Sequence, residues 1–525
     1  METVADLLLA REHDSTTALL FEDRRITWAE HVAESRRWAA YIEGMLDADA
    51  PRHIGVLLAN VPEFSYLLGA AALGGFVLVG LNSTRSGPSI VDDARRTHCQ
   101  LILTDSEHIH LVPNAVNIAG IELGDRVRGP VVDPAPQDLL MLVFTSGTSG
   151  EPKAVRCTHD KVVTPGTMLA SRFQLGPSDT VYVSMPLFHS NAIMAGWAVA
   201  LAAGANLALR RTFSASGFLP DVRRFGATYA NYVGTPLSYV LATPPRPDDR
   251  NNPLRVVYGN EATPGAAAQF ADRFAVTVVD GFGSSEGGIS IARTPDTPPT
   301  ALGPIPEGVN ILDASGNVCA IAEFDDGRLT NEDAAVGELV NTAGRGMFCG
   351  YYDDEDADAD RMRGGMYWSG DLAYQDADGF VYFAGRSTGW MRVGGENLAS
   401  APIERILLRH SGIHAASVYG VPACGPGDRV MAAIVIDDVD SVADVMEFLT
   451  RQPDLARRAR PELIRICTEL PRTATHKVLT RKLQRQRWNT SDPVWMSAEP
   501  TGPYRRLSEL DRQGLEKSIG TDLRR

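Results

Sequence analysis

The sequence predicts an α/β fold, with a large N-terminal domain of helix-covered, mostly parallel sheets, a strand-rich subdomain and a small α+β C-terminal domain. Short continuous apolar runs alternate with helical patterns to about residue 280, which is typical of buried parallel strands covered by helices. The composition then changes twice along the rest of the chain. At 525 residues, the chain is also too long for one ordinary core, so two or more domains are expected.

The N-terminal elements follow from their apolar periodicity. Residues 17–22 and 53–58 are predicted strands, and residues 27–45 carry the apolar spacing of an amphipathic helix. Continuous apolar runs at 100–104 and 139–144 predict two further core strands. Together these elements predict the strand–helix alternation of a parallel sheet.

Two uncharged stretches, residues 64–84 and 190–209, are long enough to cross a bilayer. Each is interrupted by glycine, at Gly74-Gly75 and at Gly204, with an Ala-rich segment before the break and a short apolar run after it. That pattern predicts a buried helix, a glycine turn and a core strand rather than a membrane span.

The later part of the chain predicts different structure. Between about residues 290 and 350, proline and glycine become frequent and short segments such as 337–342 predict strands. A helix start at 400–404 and a strand at 430–436 predict a compact α+β domain after Arg386. The predicted divisions are an N-terminal core at 1–386, a C-terminal domain at 387–490 and a polar tail at 491–525.

Charge and cysteine usage exclude several classes of protein. The chain has 50 Lys and Arg against 65 Asp and Glu, a formal net charge of −15, so its surface repels phosphate backbones and nucleic-acid binding is not expected. The six cysteines include no CxxC pair, which argues against a disulfide framework or a zinc site and suits a reducing compartment. Because the N-terminus has no signal-peptide pattern, we expect a cytoplasmic location.

The most informative motif is FTSGTSGEPK at residues 144–153. It follows an apolar strand and places two glycines and four hydroxyl residues in six positions before a lysine. Glycine lets backbone N–H groups converge on a phosphate, hydroxyls add donors and lysine adds charge, although the spacing is not that of a Walker A loop. The predicted phosphate-binding residues are Thr145, Ser146, Gly147, Thr148, Ser149, Gly150 and Lys153.

This loop resembles the TSGTTGxPKG signature of the adenylate-forming superfamily, which includes acyl-CoA synthetases, firefly-type luciferases and adenylation domains of peptide synthetases. Ser149 replaces a threonine of that signature and Ala154 replaces a glycine. Further segments resemble the remaining motifs of the superfamily, in its order: PLFH at 186–189, YGNE at 258–261, GFGSSE at 281–286, WSGD at 368–371 with Gly385-Arg386, WMRVGGEN at 390–397 and PRTATHK at 471–477.

The resemblance implies a role for residues in each motif. His189 would gate the carboxylate site, Ser285 would contact the α-phosphate of ATP, and Glu286 would hold Mg²⁺, a cation that needs such a carboxylate when it bridges phosphates. Phe282 would stack on the adenine. The residues implied around the nucleotide base are Gly259, Asn260, Glu261, Phe282, Gly283 and Ser284.

The C-terminal motifs are implied to complete the site. Asp371 would accept hydrogen bonds from both ribose hydroxyls, beside Arg386. Lys477 would be the catalytic lysine, and Thr388 occupies the hinge position. The implied thiol-tunnel residues are Gly394, Gly395 and Glu396.

The implied reaction has two steps. A carboxylic acid and ATP form an acyl-adenylate and pyrophosphate, and the acyl group then passes to coenzyme A. Because the first step brings two anions together, charge neutralisation is its main demand. In the superfamily the C-terminal domain is a mobile lid, whose rotation withdraws the lysine and admits the thiol.

The late motifs are similar to those of fatty-acyl and steroid-side-chain CoA ligases, so the expected substrate is a long-chain fatty acid or a steroid side-chain carboxylate. Met185, Phe188, Ile193, Met194, Trp197 and residues 229–241 either line an acyl channel or form core. Three alternatives stay open: an acyl-AMP ligase that loads a carrier protein, a serine hydrolase that uses GSSEG at 283–287, and a catalytically dead lipid-binding protein. A homodimer and peripheral membrane contact also stay open.

Overall fold

A computed structural model describes residues 2–124, 131–145, 152–234, 236–262, 264–325, 328–386, 390–393, 396–423, 428–436, 442–452, 455, 459–472, 478–497 and 504–520. These residues form two compact units. The first unit contains the chain up to Arg293 together with Arg345–Gly364, and the second contains Thr294–Gly344 and the described residues from Gly365 onward. This division does not test the functional boundaries predicted at 386 and 490, which stay predictions.

Two sheets form the centre of the first unit. One has the strand order Thr277–Asp280, Val256–Asn260, Tyr229–Val233, Thr180–Val183, Asn206–Leu209, Thr17–Phe21 and Arg24–Thr27. The other has the order Val116–Asn117, Cys99–Thr104, His53–Leu57, Val77–Gly80, Leu139–Thr145 and Lys153–Thr158. All neighbours are parallel except the last pair in each sheet. The predicted helix-covered, mostly parallel architecture is therefore confirmed.

Helices cover both sheets. They are Val4–Leu9, Trp28–Glu43, Pro62–Gly74, Gly87–Arg96, His159–Arg172, Ser190–Ala192, Ala198–Ala203, Ala215–Phe225, Pro236–Leu241, Pro264–Phe274 and Glu355–Arg361, with a π-helical turn at Ile193–Trp197 and 3₁₀ turns at Ile109–Leu111 and Ile118–Gly120. The helix Trp28–Glu43, predicted at 27–45, begins with a capping box in which Thr27 and Glu30 each accept the other's backbone N–H.

Both uncharged stretches have the predicted structure. The helix Pro62–Gly74 ends at Gly75 (φ 66°), and the strand Val77–Gly80 follows it. The helix Ala198–Ala203 ends at Gly204 (φ 65°), before the strand Asn206–Leu209. Glycine adopts this left-handed conformation without strain, so it can reverse the chain between a buried helix and a core strand. Among the described residues, no helix has both the length and the hydropathy needed to span a membrane.

The second unit is built mainly from antiparallel strands. One sheet has the order Gly303–Pro304, Phe380–Arg386, Met366–Gln375, Gly337–Asn341 and Val309–Leu312. Another has the order Ile413–Pro422, Asp428–Ile436, Leu463–Ile466, Val494–Ser497 and Tyr504–Arg506. Hairpins pair Phe324–Asp325 with Arg328–Leu329 and Trp390–Val393 with Glu396–Ala399. Its helices are Glu332–Ala335, Ser400–Leu407, Val442–Thr450, Thr480–Gln486 and Glu509–Gly520. The predicted strand-rich and α+β regions are confirmed.

The region predicted as a polar tail contains structure that the sequence did not reveal. Val494–Ser497 pairs with Leu463–Ile466, and Tyr504–Arg506 adds the next strand. Leu507 and Leu515 pack in the same buried cluster as Trp488. The tail therefore completes the last sheet and its core.

Candidate functional site

The two ends of the predicted phosphate loop lie side by side in the first unit. Thr145 ends one strand, Lys153 begins the next, and the two residues are paired in register. The Thr145 hydroxyl also donates to the carbonyl oxygen of Lys153 at 3.5 Å. Ser146, Gly147, Thr148, Ser149 and Gly150 lie outside the described residues, so their phosphate contacts stay predictions. The two ends of the loop therefore lie at the edge of a sheet.

Glu286 lies in a tight turn. The N–H of Gly287 donates to the carbonyl oxygen of Ser284 at 3.1 Å, and Gly287 has φ 74°. A Cβ atom at Gly287 would lie 3.1 Å from Cβ of Met347, so both backbone conformation and space favour glycine here. The turn thus presents Glu286 in one fixed place.

The same turn excludes the hydrolase alternative. A serine nucleophile elbow must lead directly into a helix. After Ser285, however, the chain forms the strand Ser290–Ile291, which pairs with Phe282–Gly283. The GSSEG segment is therefore a hairpin, and the serine-hydrolase interpretation is wrong.

The Glu286 carboxylate is buried and hydrogen-bonded. The Tyr351 hydroxyl donates to Oε1 of Glu286 at 3.0 Å, and Nε of Arg361 donates to that hydroxyl at 3.3 Å. Nζ of Lys153 lies 5.1 Å from the centroid of the Tyr351 ring, within the range of a cation–π contact. These contacts join the phosphate loop to the predicted metal ligand.

Lys161 is fully buried and contacts the backbone of this turn. Nζ of Lys161 donates to the backbone carbonyl of Glu286 at 2.9 Å and to that of Arg156 at 3.2 Å. Neither Lys161 nor Tyr351 was predicted as a site residue. Their distance from Glu286 along the chain, 125 and 65 positions, left no local signal that could have found them.

Ser285 is hydrogen-bonded to Ser190, the residue that follows His189 in the chain. The hydroxyls of Ser190 and Ser285 are hydrogen-bonded at 2.6 Å. The His189 ring packs against Phe188 with the centroids 4.6 Å apart, and its Nε2 finds no hydrogen-bond partner in the described part of the chain. Burial lowers the pKa of His189 to about 4, so its imidazole is neutral at neutral pH. It therefore brings no positive charge to the carboxylate site that it is predicted to gate.

The predicted adenine segment lies at the carboxyl ends of neighbouring strands. Nδ2 of Asn260 donates to the carbonyl of Gly281 at 2.8 Å, and Nδ2 of Asn191 donates to Oδ1 of Asn260 at 3.3 Å. A Cβ atom at Gly259 would lie 2.2 Å from the carbonyl oxygen of Tyr232, so only glycine fits. Ligands bind at this end of open α/β sheets. Glu261, Phe282, Gly283 and Ser284 lie in the same segments, and their base contacts stay predictions.

The ribose pair lies in the second unit. Asp371 is buried and stands opposite Arg386 in the antiparallel pair formed by Met366–Gln375 and Phe380–Arg386. Its backbone N–H donates to Oγ of Ser369 at 3.1 Å. Glu396 begins the strand Glu396–Ala399. Gly394, Gly395, Lys477 and the predicted hinge at 388–389 lie outside the described residues, and their roles stay predictions.

Most of the acyl-channel candidates are buried core. Tyr232, Leu237 and Val240 pack in one buried cluster with Phe218, and the gap between this cluster and Met185 is too small to hold an acyl chain. Phe188, Ile193 and Trp197 are also buried, and Nε1 of Trp197 donates to Oγ of Ser65.

The donor set around Glu286 fits one kind of metal. Among the described residues, no cluster of three His, Cys, Asp or Glu side chains could hold an ion alone. Mg²⁺ is usually bound through one or two carboxylates, waters and substrate phosphates. A single buried carboxylate beside a phosphate loop suits that mode.

Known proteins resemble this chain along most of its length. The sequence model of the family of AMP-binding enzymes matches residues 9–352, and that of the AMP-binding enzyme C-terminal domain matches residues 402–477. The medium/long-chain-fatty-acid–CoA ligase FadD17 of Mycobacterium marinum is 50% identical over 511 residues, which cover 94% of this chain and 98% of the relative.

Two further proteins extend the comparison. A steroid-22-oyl-CoA synthetase of Rhodococcus jostii is 42% identical over 547 aligned positions, covering 99% of this chain and 97% of the relative. The crystal structure of ATP-bound MatB from Rhodopseudomonas palustris has a TM-score of 0.80 at 20% identity, covering 92% of this chain and 99% of that one, and so shares the fold.

Proposed function

We propose that this chain, which belongs to the family of AMP-binding enzymes and is an AMP-forming acyl-CoA synthetase, activates a medium- or long-chain fatty acid. Its substrates are the acid, ATP and CoA. The main support is the 50% identity to a medium/long-chain-fatty-acid–CoA ligase, which extends over 94% of this chain and 98% of the relative.

In the first half-reaction, the acid's carboxylate attacks the α-phosphate of ATP and pyrophosphate leaves. The loop at 145–153 binds the departing phosphates, with Lys153 supplying positive charge. Glu286 would hold Mg²⁺, which when bound neutralises phosphate charge. Ser285 contacts the α-phosphate, while neutral His189 borders the carboxylate site.

The C-terminal residues divide the work between the half-reactions. Asp371 binds the ribose hydroxyls beside Arg386. Lys477 neutralises charge during adenylate formation, whereas the segment containing Gly394, Gly395 and Glu396 serves thiol transfer. The acyl-adenylate must be shielded from water between the two steps, because it hydrolyses readily.

A steroid side-chain acid is the second candidate substrate. It is favoured by the 42% identity to a steroid-22-oyl-CoA synthetase, which extends over nearly the whole of both chains. Both acids present a carboxylate on a large apolar body, so the chemistry at Glu286 and Lys477 is the same for either.

A panel of acids tests the proposal. Pyrophosphate release is measured with ATP, Mg²⁺ and straight-chain acids of short, medium and long chain, together with steroid side-chain acids; thioester formation is then followed with CoA or a carrier domain. We expect the highest kcat/KM with medium or long straight chains and transfer to CoA. Preference for a steroidal acid would move the assignment to the second candidate, and transfer only to the carrier domain would contradict the proposal.

A further inference from the structure

We infer that Tyr351 is a positioning residue, which fixes the Glu286 carboxylate for the metal-bound triphosphate and couples it to Lys153. This inference rests on the proposed role of Glu286. It starts from the buried hydrogen bond of 3.0 Å between the Tyr351 hydroxyl and Oε1 of Glu286. No motif of the sequence contains Tyr351, and the reaction described so far does not use it.

Tyr351 itself is held firmly. It is buried, its N–H donates to Oδ1 of Asp358 at 2.7 Å, and its ring packs against Phe348 with a centroid distance of 5.3 Å. A phenol keeps its proton at neutral pH, so the Tyr351 hydroxyl can donate to the carboxylate. Its single proton goes to Glu286, because the nitrogen of Arg361 can only donate to the phenol oxygen.

The backbone of Glu286 is fixed independently. Lys161 donates to its carbonyl oxygen, and the backbone N–H of Met347 donates to the carbonyl of Gly287 at 3.0 Å. With the backbone held, the direction of the carboxylate depends on side-chain torsions alone. Tyr351 restrains these torsions through Oε1. Restraint of this kind lowers the conformational entropy lost when a ligand binds.

The ring of Tyr351 performs a separate task. Nζ of Lys153 lies 5.1 Å from the ring centroid, so the cationic head of the loop lysine is held near the carboxylate. One side chain therefore contacts both charged groups that the triphosphate requires, one through its hydroxyl and the other through its ring. Replacing Tyr351 by Phe removes only the first contact, and replacing it by Leu removes both.

The test measures ATP binding by calorimetry at a series of Mg²⁺ concentrations, with the full-length protein. We expect Tyr351→Phe to require ~10-fold more Mg²⁺ for half-maximal ATP binding, since a hydrogen bond to a charged group is lost. Thioester formation from a supplied acyl-adenylate should stay unchanged, because that step does not use the triphosphate. Tyr351→Leu should additionally weaken ATP binding at saturating Mg²⁺.

Tyr352→Phe is the matched control. The Tyr352 hydroxyl bonds to Nδ1 of His98 at 3.1 Å, away from Glu286, so this variant should keep the wild-type Mg²⁺ dependence. An unchanged Mg²⁺ dependence in Tyr351→Phe would overturn the inference, as would an equal loss in acyl transfer from the supplied adenylate. Glu286→Gln distinguishes the proposed role of Glu286 from the inference about Tyr351. If Glu286→Gln also leaves the Mg²⁺ dependence of ATP binding unchanged, the proposed role of Glu286 is wrong. If Glu286→Gln shifts this dependence and Tyr351→Phe does not, only the inference about Tyr351 is wrong.

Discussion

The two units carry their predicted site residues in different ways. In the first unit, contacts between buried or half-buried groups connect Lys153 through Tyr351 to Glu286, and Ser285 through Ser190 to the segment that begins at His189. In the second unit, Asp371 and Arg386 stand opposite each other on one pair of strands. The first unit thus pre-organises the side chains proposed to bind phosphate and metal. The second contributes residues whose proposed roles differ between the half-reactions, and that contrast can be tested.

The largest expected effect is on Lys477. Lys477→Ala should lower adenylate formation by about 10²–10³-fold, because a charge that stabilises the transition state is lost. Thioester formation from a supplied acyl-adenylate should be retained. The two half-reactions are followed separately by pyrophosphate release and by the consumption of free thiol.

Lys482→Ala provides the control, since Lys482 is an exposed lysine on the neighbouring helix Thr480–Gln486. It should affect neither half-reaction. If Lys477→Ala slowed both steps equally, the proposed division of roles between the two half-reactions would be wrong.

The sequence predicted those features that local chemistry determines. The strands Thr17–Phe21 and His53–Leu57 were predictable because their apolar runs are buried in parallel sheets. The proposed phosphate loop and the GFGSSE segment stand out in the sequence because their residue types are clustered within a few positions, and their roles stay predictions. Each of these features depends on neighbours in the chain.

Features that depend on distant residues were not predictable. The strands Val494–Ser497 and Tyr504–Arg506 are short and lie in a polar, proline-containing segment, and they form by pairing with Leu463–Ile466 and with each other. Lys161 appears in the sequence as an ordinary helical lysine, yet its Nζ is buried beneath Glu286. Only the tertiary fold brings such groups together.

The next expected effect concerns acid stability of the first unit. Burial lowers the pKa of His31, His159 and His189 to about 4 each. These folded-state values lie below the unfolded value near 6.5, so the stability they confer is complete above pH 6.5 and is lost as the pH falls toward 4. Between pH 7.5 and 4.5, the free energy of unfolding should fall by about 2–3 kcal/mol for each histidine. Urea unfolding at a series of pH values measures this change.

His159→Asn sharpens this measurement. Nδ1 of His159 accepts the N–H of Val4 at 3.3 Å, and the asparagine carboxamide oxygen can take over that role. Between pH 6.5 and 4.5, the free energy of unfolding should fall by about 2 kcal/mol less in the variant than in the wild type. An identical pH dependence in the two proteins would show that His159 does not titrate as its burial demands.

The smallest expected effect has the opposite sign and belongs to the second unit. Burial raises the pKa of Glu404 to about 7, while its carboxylate accepts the N–H of Val418 at 2.7 Å. Because the folded-state value lies above the unfolded value, the stability contributed by the protonated acid is complete below about pH 4.5 and is lost as the pH rises through 7. Glu404→Gln keeps an oxygen for Val418 and cannot ionise, so its free energy of unfolding at pH 8 should exceed that of the wild type by about 2–3 kcal/mol. Hydrogen exchange in the strand Ile413–Pro422 measures this difference in stability close to Glu404. Equal exchange in the variant and the wild type at pH 8 would show that the second unit does not have the opposite pH dependence expected here.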